Sequence, residues 1–323
     1  MATRAIEPLD LLVRSITWEA RGVLGLELVH PAGLPLPHWE PGAHIDLTLP
    51  SGTIRQYSLC GDPGDRIRYR IGILREENGR GGSLEAHTTA LAGSVLRVGG
   101  PRNRFPLTQA ARYLFIAGGI GITPILAMLR QVAAAGTTPW SLVYGGRSLE
   151  TMAYRTEIAA LPGGQVTLVP RDSAGRPDLA RIIATADADT AVYCCGPDGL
   201  MREVEQLCAA TLPSNALHIE RFAPAADGLH DEAENTAFEV KLSQTGITLT
   251  VPADKTLLQT IREHLPAINY SCEEGTCGSC ETRVLAGKPL HRDTVLSDAE
   301  RAAGDTMMIC VSRAQTPDLT LDL

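Results

Sequence analysis

No stretch of this 323-residue chain approaches the roughly 18 consecutive apolar residues that a membrane span requires, so no membrane partner is expected. It also lacks a basic run. The formal net charge is −8, which argues against nucleic acid and anionic surfaces as partners. The N-terminal Met-Ala-Thr-Arg-Ala-Ile-Glu-Pro has no apolar h-region, so no signal peptide is expected. A disulfide framework is missing too: Cys60, Cys194, Cys195 and Cys208 sit far apart or side by side, in no pairing pattern. No Ser/His/Asp or paired-carboxylate arrangement stands out. These absences point to a soluble cytoplasmic protein. The 44% hydrophobic content supports packed cores, and the length suits about two or three domains.

What is present is a cysteine-rich loop near the C-terminus. Cys272, Cys277 and Cys280 stand in the run C-E-E-G-T-C-G-S-C, and Cys310 follows alone in M-M-I-C-V. The spacing C-x4-C-x2-C with a distant fourth Cys is that of plant-type [2Fe–2S] ferredoxins. Three thiolates from one short loop can surround a cluster only if the backbone turns back on itself, and Gly275 and Gly278 relax the dihedral limits there. Structural zinc also uses four cysteines, but usually from two short hooks, and here the fourth stands alone. Three cysteines within nine residues suit no simple disulfide pairing in a reducing compartment.

Three stretches differ in their patterning. Residues 1–107 alternate apolar and polar positions in short runs, such as 25–30, 44–49 and 66–74, broken by Gly and Pro; this predicts an antiparallel barrel. Residues 108–223 alternate apolar strands (113–117, 141–144, 166–169, 191–194) with helical stretches (124–135, 152–161), which predicts βαβ units on a parallel sheet. Residues 224–235 are small, acidic and Pro/Gly-bearing, as in a linker. The last stretch, 236–323, offers strands at 238–242 and 247–251, a helix near 256–264, and then the cysteine loop. The fold class expected is therefore multidomain: β-barrel, α/β parallel sheet, and an α+β C-terminal domain.

Two glycine turns close strands of the α/β stretch. Ile116-Ala-Gly118-Gly119-Ile-Gly121-Ile-Thr123-Pro124 leads from strand to helix, where glycines admit a pyrophosphate and a helix start offers free N–H groups. It is not a G-x-G-x-x-G, and such turns are also common structural devices. Cys195-Gly196-Pro197 ends a later strand on the same sheet edge, where open α/β sheets bind ligands. In the barrel stretch, Arg55-Gln56-Tyr57-Ser58 places a cation, an aromatic and a hydroxyl at alternating positions, read here as one strand face. Arg55 can pair with a phosphate, Tyr57 can pack on an aromatic ring, and Ser58 can donate a hydrogen bond. Asn78-Gly-Arg80-Gly81-Gly82-Ser83 can form a backbone anion nest, although an ordinary surface Arg and an ordinary turn would look the same.

Together these segments resemble the phthalate dioxygenase reductase family within the ferredoxin–NADP reductase superfamily, over essentially the whole chain. Arg55-x-Tyr57-Ser58-x-x-x-x-Pro63 matches the flavin motif, Asn78–Ser83 is similar to the turn at the flavin phosphate, and Gly118–Pro124 with Cys195-Gly196-Pro197 match the nicotinamide motifs. Glu220-Arg-Phe222 ends the nucleotide domain as in the family, and the ferredoxin segment lies C-terminally as it does there.

The resemblance implies a β-grasp ferredoxin domain and three cofactors: FMN, NADH and a [2Fe–2S] cluster. It implies that Arg55, Gln56, Tyr57 and Ser58 hold FMN, with Arg80, Gly81, Gly82 and Ser83 near its phosphate. FMN is favoured over FAD because no adenine-binding segment is evident. Gly118, Gly119, Gly121, Thr123, Gly196 and Pro197 are implied near the nicotinamide nucleotide, and Cys195 close to the hydride-transfer position. Phe222 is similar to the family's aromatic beside the flavin or nicotinamide, or is an ordinary core Phe. Ser58, Cys195 and Phe222 are thus the candidates nearest the reaction. Arg147 follows the second strand, where a 2′-phosphate can lie, while Asp172 offers a carboxylate that disfavours one; NADH is expected. His291–Leu296 also matches the ferredoxin domain and is taken as structural.

The implied activity is that of an NADH-dependent oxidoreductase. A hydride passes to flavin, and single electrons go on through the cluster to a terminal Rieske-type oxygenase that docks transiently. Plant-type clusters sit near about −400 mV and Rieske centres far higher, so that transfer runs downhill. A haem monooxygenase or another acceptor would leave the same motifs. A redox-sensing module would have little use for the flavin and nicotinamide apparatus. A monomer is expected from the resemblance alone.

Overall fold

Six strands between residues 9 and 103 build a sheet that curls on itself. The computed structural model describes residues 8–222 and 235–323. The expected linker, apart from Asn235, lies outside the described residues. The chain forms two units, Met1–Glu220 and Arg221–Leu323.

The first half of the first unit contributes β1 (Leu9–Ala20), β2 (Val23–Val29), β3 (Ala43–Thr48), β4 (Ile54–Ser58), β5 (Arg68–Leu74) and β6 (Val95–Asn103), with α1 (Gly82–Thr88) between β5 and β6. The strand order is β4-β3-β6-β1-β2-β5, with every pairing antiparallel. A bridge between Leu59 and Ile71 joins the end of β4 to β5, so the two edges of the sheet meet as a barrel. Its interior is aliphatic: Leu11, Val13, Leu26, Leu28, Ile45, Leu47, Ile71 and Val98 are buried together.

The second half alternates strand and helix as the patterning predicts. In order come β7 (Arg112–Gly118), α2 (Ile122–Ala135), β8 (Trp140–Gly146), α3 (Arg155–Ala159), β9 (Gly164–Pro170), α4 (Arg171–Ala174), α5 (Leu179–Ile183), β10 (Thr190–Cys195), α6 (Asp198–Thr211) and β11 (Leu217–Glu220). The sheet is parallel, in the order β11-β10-β7-β8-β9. Both faces are covered. Ile122, Ile125 and Leu129 of α2 pack with Phe115 and Tyr144. Met201, Val204 and Cys208 of α6 pack with Leu114 and Val192. That is why β10 reads Thr-Ala-Val-Tyr-Cys-Cys, buried at every position, rather than alternating.

The chain leaves β7 toward β8 and β9 on one side and returns to β10 and β11 on the other, so the strand order reverses between β7 and β10. Such switch points are where open α/β sheets bind ligands. Two local expectations shift. α2 begins at Ile122, so Pro124 falls within its first turn, where a missing N–H costs nothing. The helix expected over 152–161 shrinks to Arg155–Ala159 because Tyr154 takes a left-handed φ of 61°.

The second unit contains β12 (Phe238–Leu242), β13 (Thr248–Val251), α7 (Leu257–Arg262), β14 (Glu281–Ala286), β15 (Pro289–Leu290), α8 (Asp298–Ala303), β16 (Thr306–Met308), β17 (Arg313–Ala314) and β18 (Asp318–Leu321). The main sheet runs β13-β12-β18-β14-β16, with β12 and β18 parallel and a β12–β13 hairpin, and β15 pairs separately with β17. Leu257, Leu258 and Ile261 of α7 pack on Val240, Val251 and Leu319. Thr256 and Gln259 close a reciprocal capping box at the start of α7. Helix against mixed sheet is the α+β arrangement expected.

Candidate functional site

β4 carries the flavin motif, and β-pleating separates its side chains. Period two puts Arg55 and Tyr57 on one face and Gln56 and Ser58 on the other, which corrects the reading of Arg55, Tyr57 and Ser58 as one face. Arg55 lies against Gly82: a methyl group there would come 2.7 Å from both Cγ and Nε of Arg55. Its guanidinium donates to the Arg80 carbonyl at 2.9 Å and the Ile54 carbonyl at 2.8 Å. The glycine turn and the arginine are thus brought together from segments about 25 residues apart in sequence. Gly81 has a φ of 84°, where an added Cβ would meet nothing, so the turn borders open space. The Ser83 hydroxyl accepts a hydrogen bond from the Glu76 amide at 3.1 Å and braces the turn.

The Tyr57 hydroxyl is buried without a hydrogen-bond partner, and burial pushes its pKa up to about 12. An orphaned phenol beside an arginine and an open glycine turn fits a bound group with an aromatic ring and a phosphate, such as a flavin mononucleotide. On the other face, Gln56 donates to Asp46 at 2.9 Å, and Arg102 bonds the same carboxylate at 2.5 Å, so Gln56 is engaged within the barrel.

The two glycine turns of the nucleotide half meet backbone to backbone. A methyl group on Gly121 would stand 2.2 Å from the Cys195 carbonyl oxygen, and one on Gly118 would stand 2.6 Å from Cδ of Pro197. A Cβ on Gly196 would meet Gly118 at 2.9 Å. The expected set Gly118, Gly121, Cys195, Gly196 and Pro197 is therefore one structure, and its glycines answer a steric demand. Gly119 takes a φ of 55° with open space beside it. Thr123 is buried and donates to the Ile120 carbonyl at 2.9 Å, pinning the turn. Cys195 is fully buried, in register with Ala117 of β7 and Glu220 of β11. Burial, with Glu220 and Cys194 nearby, raises its pKa well above the usual thiol value, so the thiol stays neutral. Arg147 follows β8 directly and Asp172 lies in α4, just past β9; the Asp172 amide donates to the Arg147 carbonyl at 3.1 Å, and both residues are exposed at the sheet's C-terminal edge.

Glu220 is the site residue that sequence reasoning passed over as a family end-marker. Its carboxylate lies 3.5 Å from the Ser58 hydroxyl, 162 residues away in the chain. Part of its surface stays accessible, yet surrounding protein removes enough water to push its carboxyl up to about 8, while the Ser58 hydrogen bond pulls it down. A carboxyl held near neutrality beside the flavin strand can hold or give up a proton there. A signal existed in the strand pairing: β11 ends on Glu220 just as β10 ends on Cys195. Phe222, two residues later, is 43% exposed and is no core residue.

In the second unit, Gly275 and Gly278 take positive φ values of 69° and 75° and bend the cysteine loop. Cys272, Cys277, Cys280 and Cys310 are all buried. Their thiols touch in a chain, Cys277 to Cys272 to Cys310 to Cys280. The Glu274 amide donates to the Cys272 sulfur and the Ser279 amide to the Cys277 sulfur, each at 3.3 Å. No three His, Cys, Asp or Glu among the described residues gather to hold a single metal ion. Four neighbouring thiols would supply the four terminal ligands of a [2Fe–2S] cluster, with amides aimed at two of the sulfurs. In the His291–Leu296 segment, taken above as structural, the Thr294 amide donates to the Gly275 carbonyl at 2.9 Å, and Asp293 accepts from the Val295 and Leu296 amides. The remaining cysteines, Cys60, Cys194 and Cys208, are buried.

Comparison with known proteins agrees with this geometry. The family described as the oxidoreductase NAD-binding domain matches residues 115–206, and the 2Fe-2S iron-sulfur cluster binding domain matches residues 240–315. The phenoxybenzoate dioxygenase subunit beta of Ectopseudomonas oleovorans is 43% identical, covering 100% of this chain and 99% of that protein. An intact type IV self-sufficient cytochrome P450 monooxygenase superimposes with a TM-score of 0.88 at 42% identity over 98% of this chain, which spans 41% of that polypeptide. The crystal structure of phthalate dioxygenase reductase, described as modular for electron transfer from pyridine nucleotides to [2Fe–2S], superimposes with a TM-score of 0.73 at 38% identity over 98% of both chains. Among the described residues no helix is long and apolar enough to cross a membrane. With its barrel, nucleotide half and cysteine-loop unit in the same chain order and over the same length, this oxidoreductase belongs to the phthalate dioxygenase reductase family and takes FMN, NADH and a [2Fe–2S] cluster.

Proposed function

We propose that the chain is the reductase component of a two-component oxygenase, drawing electrons from NADH and delivering them to a Rieske-type terminal oxygenase. The observation that carries this reading is the single chain in which a buried glycine-paired nucleotide turn, a flavin strand and a four-thiol loop occur together. Full-length likeness to a dioxygenase subunit and to a reductase that feeds [2Fe–2S] supports it.

Each residue has a task. Arg55 and the turn Arg80–Ser83 hold the FMN phosphate, and Tyr57 lies along the flavin with its unpartnered hydroxyl supplied by the cofactor. Gln56 keeps β4 in place through Asp46. Gly118, Gly119, Gly121, Thr123, Gly196 and Pro197 seat the nicotinamide nucleotide, with neutral Cys195 at the floor of that seat. Ser58 and Glu220 hold a proton at the flavin edge. When bound, FMN would supply the conversion of a hydride's two electrons into single-electron transfer, and Cys272, Cys277, Cys280 and Cys310 would hold the cluster that accepts one electron at a time. Asp172, in α4 just past β9, disfavours a 2′-phosphate, so NADH is preferred to NADPH despite Arg147 nearby.

The proposed partition is 1–107 for the FMN barrel, 108–223 for the nucleotide domain, 224–235 for a linker and 236–323 for the ferredoxin domain. The protein is proposed to act as a cytoplasmic monomer that docks its acceptor transiently. Likeness to the self-sufficient P450 supports a second reading in which the acceptor is a haem monooxygenase. Steady-state oxidation of NADH with a purified Rieske oxygenase and, separately, a haem monooxygenase separates the two. Oxygenase-dependent turnover with substrate hydroxylation is the expected result. Electron delivery only to haem would establish the second reading, and delivery to neither would overturn both.

A further inference from the structure

The seam between the barrel and the nucleotide half holds a charged cluster that the electron path does not use. Arg70, on β5, makes a two-pronged ion pair with Glu157 of α3, at 2.7 and 2.8 Å. The same guanidinium bonds Glu19 of β1 at 2.8 Å, and Arg130 of α2 also bonds Glu157. Two cations and two carboxylates, drawn in equal number from barrel and nucleotide half, form a neutral quartet. The Arg70 side chain is only 19% exposed. Planar fork-to-carboxylate pairing of this kind fixes direction as well as distance.

Its position gives the quartet a bearing on chemistry. Arg70 is tied by its backbone to the flavin strand: the Cys60 amide, two residues past Ser58, donates to the Arg70 carbonyl at 2.8 Å. Two residues further along β5, Gly72 packs directly on the nicotinamide turn. A methyl group on Gly72 would stand 2.9 Å from Cγ2 of Thr123 and 2.5 Å from the Tyr154 hydroxyl. Tyr154 is itself held in a left-handed conformation, with Arg70 5.0 Å from its ring centroid and its hydroxyl 3.8 Å from the Cys60 sulfur. β5 is therefore joined to the end of the flavin strand and also pressed against the nicotinamide turn.

We propose that Arg70 and Glu157 are positioning residues for hydride transfer: their ion pair fixes β5 against the nucleotide half and so sets the flavin–nicotinamide spacing, while contributing little to the affinity for either cofactor. The inference rests on the flavin and nicotinamide assignments above. Hydride transfer requires reacting atoms about 3–3.5 Å apart, and a shift of about 1 Å from a remote change can cost on the order of a hundredfold in rate.

The test is anaerobic stopped-flow reduction of the full-length, FMN-loaded protein by NADH and by its 4R-deuterated form, for wild type, Glu157→Gln, Arg70→Lys and Gly72→Ala. Glu157→Gln is expected to lower the limiting rate of flavin reduction at least tenfold, with an isotope effect at least as large as wild type. Its apparent Kd for NADH and its FMN retention should stay within threefold. Arg70→Lys, which keeps the charge but loses the fork, should fall between. Gly72→Ala, which leaves every charge in place, should slow the same step by pushing on Thr123, and it decides the matter if Glu157→Gln fails to retain FMN. Limiting rates within twofold of wild type in folded Glu157→Gln or Gly72→Ala protein, with only the unfolding temperature lowered, would mean that the seam is purely structural and overturn the proposal. A wild-type flavin that NADH cannot reduce would instead remove the functional reading, and this inference with it.

Discussion

In the C-terminal unit, three of the four thiols come from nine consecutive residues, 272–280, and two glycines at positive φ bend that single loop. In the N-terminal unit nothing comparable is contiguous: Arg55, the turn 80–83, the turn 118–123, Cys195–Pro197 and Glu220 reach one region only after eleven strands are laid down. The first site tolerates little change in its own loop but depends modestly on the rest of its sheet. The second depends on backbone approaches between distant strands, as at Gly121 and Gly118, and on pairing register, as at Cys195 and Glu220. A cofactor seated by sequence spacing and one seated by tertiary packing should fail differently, and the difference is measurable.

The largest effect is expected from Cys277→Ser. One-electron reduction of cytochrome c should be abolished, while NADH bleaches the flavin band at close to the wild-type rate. Equal loss of both activities would show that the two units do not act in series. Next comes Gly121→Ala. A methyl group 2.2 Å from the Cys195 carbonyl forces the two glycine turns apart, and a displacement of about 1 Å there costs on the order of a hundredfold in flavin reduction by NADH. The cluster absorbance of that variant should be untouched, which sharpens the contrast. Arg55→Gln removes charge-assisted hydrogen bonds of about 1.5–3 kcal/mol, so FMN should bind about ten- to a hundredfold more weakly, as read by flavin fluorescence on dilution.

The smallest effect is a pH slope. Glu220 holds its proton up to about 8 in the folded chain but ionises near 4.5 when unfolded. The folded state therefore binds the extra proton between those values, and stability falls as pH rises from about 4.5 to 8, then levels. Melting of the flavin–nucleotide unit across that range should show the slope in wild type and lose it in Glu220→Gln, while melting of the cluster unit shows neither change.

The same contrast explains what could be read in advance. The cysteine loop was legible because spacing is local information, and the parallel sheet because β10 and β7 are apolar at nearly every position. Ser58 was misplaced onto the face of Arg55 and Tyr57, since a motif written as a string hides the pleat. The shortened α3 came from one left-handed residue, Tyr154, whose conformation is set by the packing of β5 and not by its own propensity. Glu220 gave no signal of a raised pKa because its surroundings come from strands that are distant in sequence. Arg70 and Glu157, 87 residues apart, belong to no local pattern, and their pairing exists only once the barrel and the nucleotide half are brought together.

The most direct test of the central claim is a visible and EPR-monitored anaerobic titration of the FMN-loaded protein with NADH. The account predicts bleaching of the flavin band, followed by loss of the [2Fe–2S] shoulder and growth of a reduced-cluster signal that Cys277→Ser lacks. A bleached flavin with an unchanged, fully oxidised cluster in wild-type protein would contradict it.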